Sequence, residues 1–278
     1  PVRQGCVRRD ANLYSAPIMQ PEPMRRSLRY YIDLLTVLLA KELKVRYKST
    51  VLGYAWSVLH PLAFAGVFFL VFSVFLRVRI EHHALFLIAG LFPWQWFANS
   101  ANGAHAHFLR NASLLKKVRF PRWMLVVADI LNNTIHFLLS VPVIVVFMLF
   151  YRIYPTVGWL WTIPLLVAVQ FMFTLGFALL VATANLFFRD LERLVVIATM
   201  IWFYLTPVLY HVDMIPPQWR WSIYVNPMAS LTICWQSVFL SSPLPWEMLG
   251  AAAVWSVAML AIGYRVYASH QWRFAEVV

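Results

Sequence analysis

The sequence predicts an all-α integral membrane protein with six transmembrane helices, an N-terminal amphipathic interface helix and re-entrant helices between spans five and six. Three observations carry that expectation. The composition is 62% hydrophobic and only 12% charged, with a mean hydropathy of +0.68, whereas a soluble domain must still cover itself with polar surface. Several apolar runs reach about 20 residues, the length that crosses a ~30 Å hydrocarbon layer. The Lys and Arg residues also fall almost entirely on one side of those runs. Thirteen Trp and twelve Tyr suit two membrane–water interfaces, where such rings settle. A formal charge of +12 alone would also suit nucleic acid, but its distribution along the chain favours membrane topology.

Residues 1–23 are polar and contain Pro, and read as a flexible or artefactual N-terminal extension without assigned function. They hold no short apolar run ending in small residues, so no cleavable signal is expected. Cys6 and Cys234 are too few and too far apart for a disulfide framework. Residues 24–55 read as a cytoplasmic amphipathic interface helix and an entrance loop. From Met24 to about Leu39, Leu28, Tyr31, Ile32, Leu35 and Leu39 recur at helical spacing, with Arg26, Arg29, Asp33 and Lys44 opposite. The pattern decays at Glu42 and Arg46, which rotate onto the apolar side. The segment is too charged to span, so it is expected to lie in the interface plane, with a solvated helix as the alternative.

Residues 56–278 form the expected six-span transmembrane domain, with spans near Trp56–Leu76, Ala84–Ala104, Trp123–Phe150, Trp159–Phe187, Leu194–Val212 and Met248–Ala268. Ile223–Leu240 is apolar but interrupted by Asn226, Pro227 and Gln236. Irregular backbone at membrane depth survives only within protein or beside water, so this stretch reads as a re-entrant or interfacial hairpin. With the N-terminus inside, only Arg77, Arg79, Arg152 and Arg220 of the 23 Lys and Arg lie outside. A seventh span would place the basic C-terminal tail outside, against the positive-inside rule; both termini are therefore expected in the cytoplasm.

The chain shows no energy source of its own. It has no G-x-x-x-x-G-K-[ST] phosphate loop, and Asp129 is the one acidic residue well inside an expected span, whereas ion-coupled carriers bury carboxylates near mid-membrane. Asn132, Asn133 and His136 follow Asp129 at helical spacing; this polar stripe reads either as structural hydrogen bonding or as a substrate-facing surface. Glu81, His82 and His83 are adjacent in a short loop and do not converge on a metal. His105 and His107 are two apart on a predicted helix and face different directions. Neither group is read as a metal site, and no catalytic constellation is visible. Asn111-Ala-Ser and Asn132-Asn-Thr match the glycosylation tripeptide by chance, one in a cytoplasmic loop and the other in a span.

Several short strings share one resemblance. Tyr47-Lys-Ser-Thr-Val-Leu-Gly-Tyr-Ala-Trp ahead of His60-Pro61, Gly90-Leu-Phe-Pro-Trp, Phe187-Phe-Arg-Asp-Leu and Leu205-Thr-Pro-Val-Leu-Tyr resemble the polysaccharide-exporting ABC transporter permeases. So do Ile215-Pro-Pro, Asn226-Pro-Met and the terminal Phe274-Ala-Glu. These permeases are the membrane subunits of O-antigen, teichoic-acid and capsule exporters, in the type-2 ABC exporter class. The resemblance covers about Ser27 to Val278, and its specificity lies in the order and spacing of the strings.

The resemblance implies a homodimer working with two separate ATPase subunits in the bacterial cytoplasmic membrane. ATP and Mg would bind the partner ATPase, with no cofactor on this chain. The implied substrate is a long glycan on an undecaprenyl-pyrophosphate or related lipid carrier. It also implies a coupling helix between spans two and three, where Leu114, Leu115, Lys116, Lys117 and Arg119 lie. Arg46, Lys48, Leu52 and Gly53 fall at the implied cytoplasmic substrate entrance, where guanidinium and ammonium groups suit phosphate. Tyr54, Trp56, Trp94, Trp96, Trp202 and Tyr204 are candidate channel-lining aromatics, offering flat faces to sugar C–H surfaces; interfacial anchoring is the plain alternative for each. The rival readings are an ABC exporter of a lipid or small molecule, and an integral membrane lipid-glycan transferase. The expected function is ATP-driven export of a lipid-linked cell-surface polysaccharide.

Overall fold

A computed structural model describes residues 28–46, 55–75, 82–117, 120–188 and 190–274. Among them the structure is helical, without strands. The helices are α1 (Leu28–Arg46), α2 (Trp56–Phe69), α3 (His83–Ala104), α4 (His107–Arg110), α5 (Ala112–Lys117), α6 (Trp123–Phe150), α7 (Trp159–Asn185), α8 (Leu191–Leu205), α9 (Ser222–Val225), α10 (Pro227–Phe239) and α11 (Trp246–His270). A π-helical turn, Leu70–Phe75, continues α2. Three of these helices, α6, α7 and α11, are long and apolar enough to cross a membrane.

Local chemistry sets the helix ends. Helix α8 stops at Leu205 rather than near Val212, because Thr206 precedes Pro207 and takes an extended backbone (φ −100°, ψ 135°) that proline imposes on its predecessor. The apolar stretch 223–240 breaks at Asn226, whose side-chain oxygen accepts from the Met228 and Ala229 amides and starts α10, with Pro227 in its first turn. Helix α1 runs on past Leu39 to Arg46. Its inward stripe contains Tyr31, Leu34, Leu35 and Leu38, while Leu28 and Ile32 are exposed. The apolar side is broader than one buried face, and packing uses the part shared with Glu42.

Helix α3 is central, touching α2, α6, α7, α8 and α10, and α7 runs along α11. One core joins α3, α6, α7, α10 and α11 around Trp96, Phe97, Phe137, Phe173 and Trp235. A second core at the α1 end gathers Leu38, Phe108, Met124, Leu125, Tyr267 and Phe274. Buried aromatic pairs of this kind prefer tilted or offset contacts, as in Phe108–Phe274 at 4.8 Å between centroids.

Candidate functional site

Two regions bring together side chains whose sequence positions are far apart. The first lies where α8 ends and α10 begins. The Asn226 oxygen that caps α10 also accepts from the Trp202 indole N–H at 2.7 Å. Its amide nitrogen donates to the Leu205 carbonyl at 3.2 Å and to Thr206 Oγ1 at 3.3 Å. One side chain thus ties a broken helix to the next. Beside it, Gln236 Nε2 donates to the Pro207 carbonyl at 3.0 Å. A methyl group on Gly90 would sit only 2.8 Å from Gln236 Nε2, so glycine lets α3 approach α10 here. Gln170, fully buried, donates to the Pro93 carbonyl at 2.8 Å and accepts from the Trp235 indole at 2.7 Å. The strings at 90–94, 205–207 and 226–228 therefore meet around one set of amide contacts. Gln170 and Trp235 escaped sequence reading; a single Gln within an apolar span was the signal for the first.

The second region is the α1 end. Arg110 donates to Glu42 Oε2 at 3.2 Å, and Lys41 Nζ to Asn111 Oδ1, so α1 is pinned to the α4–α5 segment. His105 and His107 face different partners: His105 Nε2 is 3.4 Å from Glu192 Oε1, and His107 Nε2 is 3.5 Å from Asp129 Oδ2. Burial pushes the His107 imidazole down to about 3, with Arg110 and His105 adding to it and Glu42 opposing. From the expected polar stripe, Asn133 donates to Asp129 Oδ2 at 3.0 Å and to Ser100 Oγ at 3.1 Å. At the other end of the chain, Arg122 lies over the Phe274 ring at 5.6 Å and donates to the Gln271 carbonyl.

Of the expected entrance residues, Arg46 closes α1, and Lys48, Leu52 and Gly53 lie outside the described residues, as does Tyr54. Of the coupling residues, Leu114 packs partly buried against the second core. Leu115, Lys116 and Lys117 complete the backbone of α5, and Arg119 is outside the described residues.

The aromatic candidates divide by burial. Trp94 and Trp96 are 4% and 2% exposed and pack within the subunit; Trp96 stacks on Phe137 at 5.2 Å. Both rings belong to the first core. Trp202 is partly buried among Trp94, Phe97, Phe173 and Phe177. Trp56 and Tyr204 remain exposed.

A family profile described as ABC-2 type transporter matches residues 33–240. Two Klebsiella pneumoniae proteins, each named O-antigen export system permease protein RfbA, are 42% identical to the chain over 255 residues, covering 92% of it and 98% of their own length. A Myxococcus xanthus protein of the same name is 35% identical over 259 residues, 91% of this chain and 98% of its own.

Proposed function

The chain belongs to the ABC-2 type transporter family, and from that premise we propose that it is the membrane subunit of an ABC transporter exporting a lipid-linked O-antigen polysaccharide. The carrying observation is 42% identity, along nearly the whole length of both chains, to proteins named as O-antigen export permeases.

The chain works as a homodimer with two ATPase subunits, which bind ATP and Mg; no cofactor sits on this subunit. It lies in the bacterial cytoplasmic membrane with six spans and both termini cytoplasmic. The distribution of Lys and Arg supports that orientation. Helix α1 lies in the interface, which suits its exposed Leu28 and Ile32. Helices α9 and α10 form the re-entrant pair. Arg46 and Lys48, ahead of Leu52 and Gly53, receive the carrier's pyrophosphate. Leu114, Leu115, Lys116, Lys117 and Arg119 dock the ATPase, with α5 as the docking helix. Among the aromatic candidates, Trp56 and Tyr204 are the rings free to meet the glycan.

Complementation tests the reading. In cells that lack their own permease but keep the matching ATPase and polymer synthesis, this chain should restore surface polysaccharide. The purified chain should hydrolyse no ATP alone and should co-purify with the ATPase. Normal membrane abundance without surface polymer would overturn the reading, as would ATP turnover by the isolated chain.

A further inference from the structure

A half-open notch lies between α3 and α6, lined by the polar side chains of Gln95, Asn99, Asn133, His136 and Ser140. Three rings complete it: Phe92, Trp96 and Phe137. Its volume is about 30 Å³, room for one or two water-sized groups. Its residues follow from two helical repeats. Gln95 and Asn99 are four apart on α3, and Asn133, His136 and Ser140 recur at three and four on α6, so each set shares one face.

Not all of this polar lining is spent on the protein. Asn133 is bonded to Asp129 and Ser100, and Ser140 donates to the Phe137 carbonyl at 2.6 Å. The Trp96 indole N–H, by contrast, is buried without a hydrogen-bond partner. Among the described residues, the Gln95 and Asn99 amides also make no hydrogen bond. Unpaired amides and indoles within an apolar helix pair cost free energy unless something polar meets them. Polar side chains inside membrane segments accordingly face protein or a hydrated path.

The chemistry of the lining narrows what that something is. Among the described residues it contains no Lys, Arg, Asp or Glu, so these give neither a phosphate nor an ammonium headgroup a counter-charge. Amides and an indole N–H bond neutral hydroxyls, which both donate and accept. Phe92, Trp96 and Phe137 are buried in the core and form the closed floor of the notch. We propose that this notch between α3 and α6 is a contact site for the neutral sugar hydroxyls of the exported glycan. It takes a protruding hydroxyl or hydroxymethyl group rather than a whole ring, as its size requires. The contact is shallow, as suits a polymer that must move on. This site rests on the export function proposed above and adds a glycan contact to it.

The test uses the full chain in polymer-producing cells that lack their own permease. Photo-reactive benzoylphenylalanine is introduced at Asn99, which is exposed, and separately at Leu139, exposed on α6 next to Ser140. Illumination should give a glycan-bearing adduct at 99 and none at 139. Gln95→Ala combined with Asn99→Ala should lower the export rate about tenfold at unchanged membrane abundance, the effect of two lost hydrogen bonds to a moving substrate. If the unaltered chain restores surface polymer but position 99 yields only phospholipid adducts, or none, the site is overturned while the export function stands. Wild-type export by the double variant overturns it equally. If the unaltered chain restores no polymer, the function falls and the site with it.

Discussion

Gly176 on α7 and Gly263 on α11 lie in backbone contact: a methyl group on Gly263 would run into the Gly176 carbonyl, and one on Gly176 into Met259 and Leu260 of α11. Small residues let helices approach this closely where lipid gives no hydrophobic drive to pack them. Neither backbone can yield without moving a 25-residue or a 27-residue helix. Gly263→Ala and Gly176→Ala should each destabilise the subunit by about 1–3 kcal/mol or more, the usual cost of overpacking. Gly250→Ala is the control, since open space surrounds that position. Thermal unfolding in detergent and membrane abundance measure the difference; equal melting of all three variants would refute the close crossing.

Asn226 serves two masters, the first turn of α10 and the indole of Trp202. Asn226→Ala should lose about 1 kcal/mol for the cap and a further 1–3 kcal/mol for the stranded indole N–H. Trp202→Phe removes the indole donor, so it should make Asn226→Ala less damaging than in the native background. Melting temperatures of the two single variants and the double variant form the cycle. Strict additivity would show that the two side chains do not act together.

The Glu42–Arg110 pair is half exposed, with 52% of the Arg110 side chain open and 14% of Glu42. Such pairs contribute only about 0–1 kcal/mol to stability, yet this one joins α1 to the α4–α5 segment. Charge reversal at either residue should leave abundance nearly unchanged and reduce export, and Glu42→Arg with Arg110→Glu should recover much of it. Surface polymer is the readout. A double variant as defective as its parents would mean that the two charges act separately.

The buried His107 faces Asp129 from α6, Arg110 from α4, Glu42 from α1 and its neighbour His105. Its folded pKa is lowered, so the unfolded chain binds the extra proton first as pH falls. Stability is therefore undiminished above the ordinary imidazole pKa of about 6.5 and is lost progressively below it. His107→Gln should flatten this acid limb while costing some stability at neutral pH. Melting temperature between pH 7.5 and 5 measures it; a limb unchanged in the variant would assign the loss to other groups.

The sequence by itself determined features that depend on neighbours a few positions away or on partition between water and lipid. The apolar runs and the helix break at Asn226-Pro227 were legible for that reason, and the order and spacing of short strings carried the family. The early end of α8 at Thr206-Pro207 belongs to the same class, although the apolar run hid it. Tertiary structure alone decided which atoms meet across helices, because that depends on the relative rotation and register of two segments. Gln170 joins Pro93 and Trp235, which lie 77 and 65 positions away. The same rotation carried Trp94 and Trp96 into the core while leaving Tyr204 on the surface, though all three are aromatic residues in apolar helices. It also chose which part of the broad apolar side of α1 would be buried, and so brought Glu42 to Arg110. A period of 3.6 residues tells which side chains share a face; only packing against a second helix tells what that face meets.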